Sequence, residues 1–71
     1  MKPLPFQEVK RRLEAVGFVE AGQTGSHIKF AKTTSEGIRT AIVPKHREVA
    51  AGTLRSILRQ TGIKAEEFEA L

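Results

Sequence analysis

Two runs near the middle of this chain alternate between apolar and polar residues, and segments whose apolar residues recur at helical spacing flank them on either side. From Ser26 to Ala31, Ser26, Ile28 and Phe30 share one face of an extended chain, while His27, Lys29 and Ala31 share the other. Ile38 to Val43 is rich in β-branched residues and is stopped by Pro44. Within it Ile38, Thr40 and Ile42 fall on one side, and Arg39, Ala41 and Val43 on the other. Phe18 to Gln23 reads as a shorter strand turned by Thr24-Gly25, and Thr33 to Gly37 as the polar loop of a hairpin.

Upstream, Pro3 and Pro5 hold an extended lead. Phe6, Val9, Leu13 and Val16 then form the apolar stripe of an amphipathic helix that Gly17 ends. Downstream, Lys45 to Ala51 reads as a polar connection. Leu54, Ile57 and Leu58 make a second helical stripe, from Gly52 or Thr53 to Thr61, ended by Gly62. Ala65 to Ala70 adds a short final turn that can tuck Phe68 and Leu71 inward. The expected fold is α+β in the order α-β-β-β-α: a three-stranded antiparallel sheet with both helices on one face. Residues 1–71 form one domain in this reading, with no internal linker or repeat. If Ile28 and Phe30 meet the helices, His27 and Lys29 stand on the uncovered face; a one-residue slip in pairing would reverse that assignment.

A chain of 71 residues buries only about 60% of its extended surface, which favours chemistry on an open surface over a deep enclosed pocket. Twelve Lys and Arg face eight acidic residues, all Glu, and three of these (Glu66, Glu67, Glu69) lie in the last six positions. Residues 1–65 therefore carry 12 basic and 5 acidic side chains, a net +7 that favours a polyanion or an acidic protein partner. No apolar run reaches the length of a membrane span and the start has no signal-like apolar core, so the chain reads as cytoplasmic.

With no Cys, no Asp and two His, the chain lacks a thiolate metal site, a Ser-His-Asp triad and the carboxylate cluster of a two-metal nuclease. It also lacks a phosphate-binding glycine loop leading into a helix. What remains is acid/base work by histidine without metal or cofactor, or binding alone. Histidine ordinarily titrates near cellular pH. His27, with Lys29 two residues along the same strand face, can take the proton of a ribose 2′-hydroxyl while the ammonium steadies the phosphorane. By composition and spacing alone, His27 reads first as a solvated strand residue and only second as a catalyst. Lys45, His46 and Arg47 form a basic cluster suited to phosphates or simply to water. Arg55 and Arg59, four apart on the second helix, carry the same two readings. Ser26 has no defined acid partner as a nucleophile.

Gly25-Ser26-His27, Val43-Pro44-Lys45-His46, the run from Gly52 to Gly62 (GTLRSILRQTG) and Glu66-Glu67-Phe68 together make the sequence resemble the HicA family of toxin endoribonucleases, over almost the whole chain. The resemblance implies a fold like the double-stranded RNA-binding domain. It also implies a toxin of a type II toxin–antitoxin pair that cleaves single-stranded mRNA and is restrained by a cognate HicB-like antitoxin. The family's catalytic histidine falls on His27 and its second histidine, in a supporting role, on His46; Lys29, Arg39, Lys45, His46 and Arg47 are expected to hold the RNA backbone. Two positions depart from the family pattern: Thr24 stands where a basic residue is common, and Ile28 where a polar one often follows the histidine. The rival expectation is a non-catalytic RNA-binding module, or an inactive toxin acting through its protein partner.

Overall fold

The computed structural model describes residues 1–71, running α1 (Phe6–Ala15), β1 (Val19–Thr24), β2 (His27–Thr34), β3 (Gly37–Pro44), α2 (Ala51–Thr61) and α3 (Ala65–Glu69). Pro5 is extended just before α1, and its carbonyl accepts the amides of Glu8 and Val9, so the helix starts without a side-chain cap. One face of α1 buries Phe6, Val9 and Leu13. Gly62, at φ +77°, ends α2 in the left-handed conformation, where its amide donates to the Leu58 carbonyl at 2.8 Å.

The three strands form an antiparallel meander in the order β1-β2-β3. Its helix-covered face carries Ile28, Phe30, Ala41 and Val43, all at most 1% exposed. These join Phe6, Val9 and Leu13 of α1, Leu54, Ile57 and Leu58 of α2, and Phe68 of α3 in one core. Phe6 and Phe30 meet at 6.3 Å between ring centroids. The opposite face is uncovered, and on it Val19, Ile38 and Ile42 are 60%, 70% and 43% exposed. The predicted α-β-β-β-α order and the one-sided helices are both present, with α3 as the added turn.

Several local details differ from the expectation. Thr33 and Thr34 lie within β2 and not in a loop, because Thr34 Oγ1 donates to the Gly37 carbonyl and accepts the Glu36 amide, tightening the hairpin to Ser35-Glu36. Ser26 lies in the β1–β2 turn, not on the apolar face of β2. Val49, inside the expected polar connection, is fully buried. It exchanges two backbone hydrogen bonds with Leu4, which seat the N-terminal lead against the start of α2. Phe18 packs into the core just ahead of β1.

Candidate nucleic-acid interface

Strand pairing decides which chemistry-bearing side chains share a face. His27 opens β2 and is paired with Thr24 of β1 and Pro44 of β3; Lys29 is paired with Gly22 and Ile42. His27 and Lys29 are both exposed, and their neighbours in sequence, Ile28 and Phe30, are buried. The uncovered face is therefore graded. Thr24, His27 and Pro44 form one end, Gly22, Lys29 and Ile42 the next row, and Val19, Ala31 and Thr40 the row beyond. Gly22 leaves open space beside Lys29, since a Cβ there would meet nothing within 4 Å.

The spacing of the β2–β3 ladder follows from one side chain. The Ile42 amide points off the sheet edge and donates to Gln60 Oε1 at 3.0 Å. Lys29/Ile42 and His27/Pro44 are therefore the closely spaced, non-hydrogen-bonded pairs, with Cα atoms about 4.5 Å apart. Pro44, having no amide proton, costs nothing at such a position. The Lys45 amide then donates to the Ser26 carbonyl at 2.6 Å, carrying the ladder past Pro44 and holding the basic segment beside the His27 turn. The chain bends only at Arg47 and Glu48. Lys45, His46 and Arg47 are thus brought to the His27 end of the sheet, and all three are exposed.

Arg39 lies elsewhere. It shares the helix side of β3 with Ala41 and Val43, and its Nη1 donates to the Gln60 carbonyl at 3.1 Å, at the C-terminal end of α2. Lys32, on the same side of β2, stands over the Phe18 ring at 5.8 Å. The alternation in sequence already grouped Arg39 with Ala41 and Val43; which group met the helices was settled only by packing.

The remaining cations divide sharply. All three ion pairs of the protein involve α1: Lys10 with Glu20, and Arg11 and Arg12 with Glu8. Hydrogen bonds from Arg11 and then Arg12 hold the Glu8 carboxyl down at about 2. Arg12 also stacks on Phe68 at 5.1 Å and donates to its carbonyl, tying α1 to α3. By contrast Lys29, Lys45, Arg47, Arg55 and Arg59 have no carboxylate partner. Arg55 and Arg59 border an open cleft of about 480 Å³ with Leu58 and Ile63 on its floor, and this cleft shares no residue with the His27 end. His27 itself sits on open surface and lines neither of the two clefts found in the protein. No three His or Glu side chains converge in a way that would hold a metal ion, and no helix is long and apolar enough to cross a membrane.

Sequence reasoning missed Gly22, Ile42 and Pro44 as neighbours of the two candidate groups. The hairpin register carries that information, and period-two alternation alone does not. A family model, described as the HicA toxin of bacterial toxin–antitoxin systems, matches residues 6–63. No curated protein matches the chain.

Proposed function

Because the chain belongs to the HicA toxin family, the toxin component of a bacterial toxin–antitoxin system, we propose that it acts as an endoribonuclease on single-stranded mRNA, without metal or cofactor, in the cytoplasm. The carrying observation is His27: an exposed imidazole at the end of an uncovered sheet face, with Lys29 in the next row, the Lys45–Arg47 segment alongside, and no carboxylate paired to any of them. His27 serves as general acid/base at the ribose 2′-hydroxyl. Lys29, Lys45, His46 and Arg47 hold the backbone and offset the charge that builds on the phosphorane. Residues 1–71 act as one toxin domain.

A HicB-like antitoxin neutralises the toxin by covering this face, its own surface acidic against the basic body. A single acid/base group contributes about 10²–10⁴-fold, so turnover is slow, which is enough where each cut removes a message.

The test is to induce the wild-type chain and His27→Ala without antitoxin, at equal soluble levels. The proposal expects growth arrest and mRNA fragmentation with the wild type only, and cleavage by purified wild-type protein in EDTA. Equal toxicity of both variants would remove His27 from the reaction. If neither arrests growth nor cuts RNA, the chain acts by binding alone.

A further inference from the structure

Resting on that reading, we infer that His46 is a second catalytic residue, the general acid that protonates the 5′-oxygen leaving group while His27 takes the 2′-hydroxyl proton. Alternation along β3 puts Ile38, Thr40, Ile42 and Pro44 on the uncovered face, and the first three of these are exposed. Just beyond Pro44, where β3 ends, the Lys45 amide still bonds to the Ser26 carbonyl, at the position of the next hydrogen bond of the same ladder. The first bend comes at Arg47. The next residue on the uncovered face is therefore His46.

His27 is paired with Pro44, so His46 is its diagonal cross-strand neighbour, roughly 7–8 Å away. That separation lets two imidazoles stand on opposite sides of one phosphodiester. Both are exposed, and neither is engaged by a hydrogen bond or ion pair within the protein. These are the only two histidines in the chain. The nearby charges are Lys29 in the next row and Lys45, Arg47 and Glu48 in the adjoining segment.

The step balances without any other reactant. Neutral His27 accepts the 2′-hydroxyl proton as the 2′-oxygen attacks phosphorus. The bond from phosphorus to the 5′-oxygen breaks, and the His46 imidazolium gives its proton to that oxygen. The products are a 2′,3′-cyclic phosphate and a 5′-hydroxyl, and exchange with solvent returns each histidine to its starting form.

The experiment separates an acid from a mere phosphate contact. A short oligoribonucleotide spanning a cut site mapped with the wild type is made twice, once with the normal 5′-oxygen and once with sulfur in its place. A thiolate leaves without being protonated, so only the oxygen substrate needs the acid. His46→Ala should cut the oxygen substrate about 10²-fold or more slowly than the wild type and the sulfur substrate within a few-fold of it. His27→Ala should be slow on both. Equal slowing of His46→Ala on the two substrates overturns the inference and leaves His46 a backbone contact, and a wild-type rate on the oxygen substrate overturns it outright. A His27→Ala variant as active as the wild type on both substrates instead overturns the underlying assignment of His27 as the base. Both histidines are exposed, and matched thermal melts of the two variants confirm that the fold is intact.

Discussion

Ile28 and Phe30 alternate along β2 with His27 and Lys29, yet the two pairs occupy different physical worlds. The first pair is sealed under α1 and α2 with at most 1% exposure, and the second stands in water. The same contrast runs through the charges. On the helix side, Lys32 lies over Phe18, Arg39 closes the end of α2, and the cations of α1 are bound to Glu8 and Glu20. On the uncovered face and beside it, Lys29, Lys45 and Arg47 have no partner in the protein. A cation already bonded to its own fold has lost the freedom to grip a ligand. The cations bonded within the fold are thereby withheld from ligands, whereas Lys29, Lys45 and Arg47 are left free at the His27 end, as Arg55 and Arg59 are on α2.

The largest effect is expected from cutting into the sealed face. Phe30→Ala should destabilise the protein by about 3–5 kcal/mol, measured by urea unfolding, whereas Ile38→Ala on the open face should change stability by no more than about 0.5 kcal/mol. A large loss at Ile38 would mean that the open face is covered in solution. Lys29→Gln should leave unfolding unchanged and weaken RNA binding. It should also flatten the slope of log affinity against log salt by about 0.7, the contribution of one phosphate contact on a single strand; an unchanged slope would take Lys29 off the backbone.

Gly62→Ala probes the helix side of the sheet. It should cost about 1–2 kcal/mol, because the residue needs a positive φ and a Cβ there would sit 2.9 Å from Arg39 Nη1. The side chain of Arg39 is long and can yield, so Gly62→Ala combined with Arg39→Ala should show which part of the cost is backbone strain. The smallest effect lies in α1. Arg11 and Arg12 hold the Glu8 carboxyl at about 2, below its ordinary 4.5. The ion-paired form therefore stabilises the folded state fully above pH 4.5 and loses that contribution as pH falls toward 2. Glu8→Gln should melt below the wild type at pH 7, and the gap should close across that acidic window. A gap independent of pH would show that the Glu8 contribution is not electrostatic.

Most of the architecture was legible because it rests on local periodicity. The stripes Phe6-Val9-Leu13 and Leu54-Ile57-Leu58 and the alternation at Ile28-Phe30 each repeat a signal over several residues. Val49 was not legible. It is one apolar residue in a polar stretch, and its burial depends on pairing with Leu4, 45 positions away in the chain. Ser26 was read one element too far into the strand because a glycine turn shortens the alternation by a single residue. His27 and Lys29 were placed on the open face correctly, since they alternate with residues too apolar to stand in water. The position of Arg39 was half legible: its companions on β3 were clear, but not which side they faced.

By itself, the sequence determined the order of elements, the apolar half of each and the short roster of groups capable of acid/base chemistry, because these depend on residue type and on periods of two and 3.6. Tertiary structure alone decided that His27 meets Pro44, that the Lys45–Arg47 segment is pinned to the His27 turn, and that Arg39 stands on the helix side of the sheet. Those outcomes follow from strand register and from which face the helices seal. Register is a relation between distant segments, set by the simultaneous burial of Ile28, Phe30, Ala41 and Val43, and no single segment contains it.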